Sequence, residues 1–242
     1  MKKITIVIVT MMLYRPLHGQ VVIALLFGDK LNTGKLEFGL VVAPASTGIT
    51  HIDSRHRGGL NLGLYFNIRP DKKISIHAEA VAKGAFGARG IFPYATGNDT
   101  LDNLFVSGKV ERVIKAFSLP IMARYAVSRK FFIDLGIQPD MMLGAKDIFS
   151  STVNGQDLDY TVKINDQVTL LDFGLTGGVF YKFKDDIKSM GLGVRYYQGL
   201  TDILKSTAGT QANTLWQFTV TIPIGAGKAS AQNAAKKAAA NP

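Results

Sequence analysis

The chain has no cysteine among its 242 residues. Disulfides, thiolate metal sites and cysteine nucleophiles are therefore excluded, as is the lipid-bearing cysteine of a bacterial lipoprotein. Charge is also sparse. Only 19% of residues are Asp, Glu, Lys or Arg, against about 25% in ordinary soluble domains. Beyond residue 27 no run approaches the ~18 apolar residues that a membrane-crossing helix needs. The lysine-serine/threonine signature of a phosphate-binding loop is absent, and no Ser/His/Asp set stands in a catalytic context. What remains is glycine, 25 residues of it, and a hydrophobic content of 47%. That combination is unusual for a soluble enzyme and ordinary for a sheet embedded in lipid.

The net charge of +10 is concentrated at the ends. Lys2, Lys3 and Arg15 lie near the start, and Lys228, Lys236 and Lys237 near the finish, in segments free of acid. The body keeps a small surplus, too thin for a nucleic-acid footprint, so no nucleic-acid partner is expected. Residues 1–19 read as a secretory signal: Lys2-Lys3, then an apolar core over Ile4–Tyr14, a break at Arg15-Pro16, and Gly19 at a cleavage position. An uncleaved anchor is the competing reading, because 21–27 is apolar again. Residues 20–33 form a lead-in under the barrel, 34–224 the barrel, and 225–242 a flexible basic, Ala-rich tail.

Period-two alternation marks strands, and it recurs eight times. Leu36, Phe38, Leu40 and Val42 alternate with smaller or polar neighbours, as do Leu60 to Ile68, Ile74 to Ala82 and Phe117 to Ala123. The second half repeats the pattern over Phe131 to Ile137, Leu171 to Val179, Met190 to Tyr196 and Trp216 to Ile222. Short turns at Arg69-Pro70-Asp71-Lys72, Ser128-Arg129 and Lys184-Asp185-Asp186 alternate with long loops near 44–57, 84–112, 144–167 and 199–212. Long loops on one side and short turns on the other is the habit of outer-membrane barrels. With an even strand count, both termini fall in the periplasm.

The same alternation would suit a soluble, lipocalin-like binding barrel. The second face of each strand argues otherwise. It carries Gly, Ser, Thr, Asn and Gln with few charges, which fits a crowded lumen better than a water-facing surface. Tyr65, Tyr125, Tyr181, Phe183, Tyr196, Tyr197 and Trp216 stand near strand ends as candidates for an aromatic belt. Lipid offers the backbone no hydrogen-bond partner, so strands in it must close into a ring. The expected fold is all-β, an eight-stranded antiparallel up-and-down transmembrane β-barrel.

Several stretches taken in order resemble a known family: 21–40, GGLNLGLYFNIRPDKKISIHAEAVAKGA (58–85), SLPIMARYAVSRKFFIDLGIQPDMMLGAKD (118–147), DFGLTGGVFYKF (172–183) and GLGVRYYQGLTDI (191–203). The set is similar to the PorT-like outer-membrane β-barrel proteins of Bacteroidetes. The resemblance implies an outer-membrane barrel of poorly defined activity. One namesake acts in protein secretion, a role that no residue here marks. Many such barrels end on an aromatic residue, whereas this chain continues past Ile224, so its assembly signal would be internal, around Trp216 to Ile224.

Glu79, Lys83, Arg124, Asp134, Asp172 and Arg195 fall in the lumen-facing register. An eight-stranded barrel is just wide enough for side chains, and buried charges must pair. A salt-bridged plug that fixes strand register is therefore expected, with a narrow polar conduit as the alternative. Catalysis by carboxylates such as Asp134 and Asp172 would need access that the packing denies. His51, Arg55, His56 and Arg57 cluster with Asp53 in the first long loop. Their spacing supports no metal site, and they read as a solvated outer loop able to touch anionic lipopolysaccharide. The expectation is a monomeric, non-enzymatic membrane protein without cofactor, with outer-membrane lipid and the barrel assembly machinery as partners. Porin-like transport or a part in secretion is the second reading.

Overall fold

Each alternating stretch becomes a strand, except 117–123, which straddles the break between two, in the computed structural model, which describes residues 36–69, 73–186, 189–205 and 207–224. The expected signal, the lead-in and the tail lie outside the described residues. The elements are β1 (Leu36–Ile49), β2 (Arg55–Ile68), β3 (Ile74–Ile91), α1 (Asp99–Phe105), β4 (Lys109–Ser118), β5 (Ile121–Ala126), β6 (Phe131–Val153), β7 (Gln156–Lys163), a 3-10 turn (Asn165–Gln167), β8 (Leu171–Lys182), β9 (Gly191–Gly199) and β10 (Asn213–Pro223).

These ten strands make eight staves. β4 and β5 run end to end between β3 and β6, interrupted at Leu119-Pro120, where proline has no N–H to give the ladder. The gap is bridged by the Glu79 amide donating to the Pro120 carbonyl (2.9 Å) and the Leu119 amide to that of Pro139 (3.0 Å). β7 pairs only with the far half of β6. The staves are antiparallel neighbours in chain order, and β1 pairs with β10 from Gly39↔Pro223 to Ile49↔Asn213, which closes the ring. Closure leaves the ring no free edge.

Alternation puts apolar side chains outside and polar ones inside. Leu135 is 68% exposed on the outer face, and Leu175 and Phe218 are each close to half exposed, whereas Glu79, Asp134 and Arg195 are buried. A soluble barrel has the opposite polarity, and water-soluble proteins rarely show apolar surface on this scale. The lipocalin-like alternative is thereby corrected.

Of the ring's register shifts, those at Leu62/Gly63 and Lys115/Ala116 each insert one extra residue. Leu62 pairs with Lys83 and Gly63 with Val81, so Ala82 is the extra residue on β3. Lys115 pairs with Gly144 and Ala116 with Met142, so Leu143 is the extra residue on β6. A bulge turns later residues to the other face. Lys83, expected in the lumen, is consequently exposed.

The long loops are shorter than the sequence suggests. β1 and β2 extend through most of 44–57, β3 and β4 enter 84–112 from both sides, and β6 with β7 fills 144–163. These extensions alternate without an apolar outer face, because they rise beyond the apolar band, and the periodic signal fades there. In the last loop the described residues, 200–205 and 207–212, stay irregular apart from an isolated bridge at Leu204. Within the second loop, α1 starts at Asn98, whose side chain accepts from the Thr100 and Leu101 amides. The Asp102 carboxylate accepts from the Thr96 amide and hydroxyl (2.8 and 2.7 Å), which holds it below the usual carboxylate range. Phe105 packs with Val110 and Phe149, seating α1 on the inner face of the extended strands.

Candidate functional site

The inner face of the ring holds the chain's densest chemistry, in layers. Nearest the short turns, Glu37 on β1 accepts from the Tyr65 hydroxyl (2.9 Å), from Lys182 Nζ on β8 (2.9 Å) and from the Arg69 guanidinium. In the next layer Arg195 on β9 reaches Glu79 on β3 through two bonds of 2.9 and 2.6 Å. Glu79 also meets the His77 ring (2.8 Å), whose other nitrogen contacts Asn67 (2.5 Å). Beside them Arg124 on β5 holds Asp134 on β6 in a fork of two 2.7 Å bonds, with its guanidinium 4.1 Å from the centre of the Phe180 ring. Paired, two-point geometry of this kind is strong and directional. Asn61 and Gln217 then bridge β2 and β10 at 3.1 Å.

Above this lies a second carboxylate pair, Asp140 and Asp172, directly opposite each other on β6 and β8. The Gln138 amide donates to Asp140 (3.0 Å) and the Asn213 amide to Asp172 (2.8 Å). An apolar layer covers the mouth: Phe86, Ile114 and Leu215 from the strands, with Ile203 and Leu204 folded in from the 200–212 loop. Beyond it Arg112 forks onto Asp147 (2.9 and 2.6 Å), which also accepts from the Tyr94 hydroxyl (2.8 Å). Burial and the Asp147 carboxylate hold the Tyr94 phenol above its usual pKa.

Of the six lumen candidates, the structure places Glu79, Arg124, Asp134, Asp172 and Arg195 inside and Lys83 outside. Asp134 is not opposite Asp172. It is held by Arg124, and the true neighbour of Asp172 is Asp140, which lies just past the expected end of its strand. Glu37 and His77 also belong inside, and both were already visible as polar members of an alternating stretch.

The aromatic candidates divide. Tyr125, Tyr181, Phe183 and Trp216 face outward, about half exposed, and Tyr196 packs on Trp216 at 4.7 Å. Tyr65 and Tyr197 do not belong to a belt: both are fully buried in the lumen. Each lies on a glycine. Tyr65 Cε1 is 2.5 Å from where a side chain on Gly39 would begin, and Tyr197 Cε2 is 2.5 Å from the same point on Gly174. A large ring fits the crowded interior only over a residue without a Cβ, so an inward tyrosine paired with a strand glycine is the signal for the inner location. Gly174→Ala is accordingly expected to cost about 1–3 kcal/mol by overpacking, seen as a lower urea midpoint. An unchanged midpoint would mean that both the Tyr197 ring and the Gln198 backbone beside Gly174 give way freely.

The expected loop cluster is spread over β1–β2. His51 sits at the tip, its Nδ1 2.8 Å from the Thr210 carbonyl. Arg55, His56 and Arg57 are strand residues. His56 meets Ser46 (3.1 Å), and Arg57 donates to Glu111 (2.6 Å). Arg55 pairs across the strands with Arg89. With Lys109, Phe92 and Asp53 these two arginines line an open cleft of about 440 Å³, where Lys109 Nζ lies 4.3 Å above the Phe92 ring.

A family model described as "Outer membrane protein beta-barrel domain" matches residues 31–205. None of the curated proteins matches. Among solved structures, the chain is similar to Ail, the attachment invasion locus protein of Yersinia pestis, at 11% identity and a TM-score of 0.41, over 80% of this chain and 100% of that one. It is also similar to Neisserial surface protein A, at 9% identity and a TM-score of 0.39, over 77% and 96%. OprG from Pseudomonas aeruginosa aligns at 11% identity and a TM-score of 0.32, over 78% and 91%.

Proposed function

The chain belongs to the outer membrane protein beta-barrel domain family, and on that premise we propose that it is a closed barrel that does not conduct, a structural or accessory membrane protein working through its loop-end lobe. The observation that carries this reading is the filled lumen. Arg195–Glu79 spans the lumen, further ion pairs and an amide bridge join nearer staves above and below it, and the apolar layer of Phe86, Ile114, Leu215, Ile203 and Leu204 lies across the mouth. A polar conduit needs a continuous path of water, and these side chains occupy it.

The lobe above the apolar band, built from the extended strands and α1, is the surface left for partners. The basic cleft of Arg55, Arg89 and Lys109 suits phosphate groups such as those of lipopolysaccharide. The even number of staves supports a periplasmic position for both termini, with the short turns on that side. The ordered strand–turn–strand stretches over 58–85 and 118–147 support a place among the PorT-like proteins. A cleaved export signal at 1–19, insertion by the barrel assembly machinery and a monomeric state complete the proposal. No role as an enzyme is part of it.

Planar-bilayer recording tests the central claim. The refolded full chain is expected to give no steady current. Stable conductance steps from the unaltered protein would overturn the closed reading in favour of porin-like transport.

A further inference from the structure

The acids of the lumen fall into two groups. Glu37, Glu79 and Asp134, and Asp147 above the mouth, each have a cation at bonding distance: Lys182, Arg195, Arg124 and Arg112. Asp140 and Asp172 do not. Both are only 2% exposed, they face each other across β6 and β8, and neither forms an ion pair among the described residues. Two like charges set directly opposite destabilise a sheet, and burying them unpaired is more costly still. Something positive must compensate.

The surroundings say what kind of group. The Gln138 amide nitrogen is turned to Asp140 and the Asn213 amide nitrogen to Asp172, so each amide lies against the pair while its own oxygen has no donor. Gln138 Oε1, Asn213 Oδ1, Asp172 Oδ1 and the Tyr197 hydroxyl are buried without a hydrogen bond of ordinary distance and angle, and the Tyr197 hydroxyl lies close enough to both carboxylates to interact with each. They are four of the eight such side-chain atoms among the described residues, and they gather around one carboxylate pair. Native proteins leave few buried polar atoms unsatisfied, so such a concentration points to a ligand. Each of the four is an oxygen.

We propose that Asp140 and Asp172, with the side-chain oxygens of Gln138, Asn213 and Tyr197, bind one calcium-like divalent cation that clamps β6, β8, β9 and β10 together below the apolar layer. Two carboxylates balance a divalent charge. Amide and carboxylate oxygens are the ligands of hard cations, and calcium accepts six to eight of them in irregular arrangements, at roughly 2.3–2.6 Å. Magnesium demands a near-ideal octahedron at roughly 2.0–2.1 Å and keeps its waters, which donors from four separate strands under an apolar cover suit poorly. Zinc prefers nitrogen and sulfur, and this group offers neither.

The test uses the full chain refolded in detergent and stripped with chelator. Terbium, an oxygen-seeking ion of calcium's size, is expected to give tyrosine-sensitised emission that saturates at one ion per chain. Calcium should displace it far more readily than magnesium. At a calcium concentration about a hundredfold above its dissociation constant, the unfolding temperature is expected to rise by roughly 5–10 °C. The near-isosteric double variant Asp140→Asn with Asp172→Asn should lose both the emission and the calcium-dependent shift. Emission that persists in that variant would assign the ion to the surface and overturn the proposal. So would a wild-type chain with no emission and an unfolding temperature indifferent to calcium, the behaviour of two carboxyls that share a proton instead.

Discussion

Arg195→Ala is expected to lower the stability of the barrel by about 3–5 kcal/mol, the range for removing one partner of a buried ion pair. The loss is not the strength of the pair itself. It arises because Glu79 stays behind, 4% exposed, with only the neutral-or-charged ring of His77 beside it. The geometry makes the site sensitive. Arg195 spans the lumen from β9 to β3 through two short bonds, so no neighbouring cation can take its place without leaving another acid exposed to the same cost. A matched pair of changes separates these effects. Glu79→Gln with Arg195→Met removes both charges while keeping volume, and should recover most of the loss. Urea unfolding followed by the gel shift between folded and heated forms gives both numbers. A single alanine variant within about 1 kcal/mol of the unaltered protein would mean that water already reaches Glu79, and the closed lumen would then be wrong.

A second large effect is expected on the opposite face. Ile137 is the middle member of the outward series on β6 that runs from Phe131 to Leu143, and its neighbours across the staves are Ile121 and Leu175. Ile137→Arg should cost about 2–4 kcal/mol in a bilayer, where arginine at the midplane of a barrel is most destabilising. The same change at Phe183, next to the short turn after β8, should cost roughly 0–1 kcal/mol, since a long cationic side chain there reaches the interface. Refolding into lipid vesicles at graded denaturant gives the difference. Equal costs at the two positions would place the apolar band somewhere other than between the turn-end aromatics and Leu143.

The staves were legible in the sequence because lipid imposes a rule with a period of two residues, and Phe131 to Ile137 or Trp216 to Ile222 obey it without a break. The rule fails where its cause stops acting. Above the apolar band water wets both faces of β7, whose residues are mostly exposed, so 144–167 reads as loop. Lys83 was misplaced because one extra residue at Ala82 inverts the faces, and no local composition announces a bulge. Asp140 escaped because the unbroken apolar alternation ends at Ile137, although β6 continues through Pro139 to Val153. Tyr65 and Tyr197 were assigned by residue type to the interface. Their inner position depends on Gly39 and Gly174 in neighbouring strands, a pairing visible only once the register is known.

The seam between β1 and β10 joins the first described strand to the last. Until Asn213–Pro223 is in place, β1 and β9 each present an unsatisfied row of amides and carbonyls, flanked by greasy side chains that water cannot accommodate. A partly delivered chain is thus a template for its own aggregation. The molecule has to be held open by something else until the final hairpin arrives, and it locks only in that last step. Timing, as much as affinity, then decides whether this chain ends as a barrel or as a precipitate.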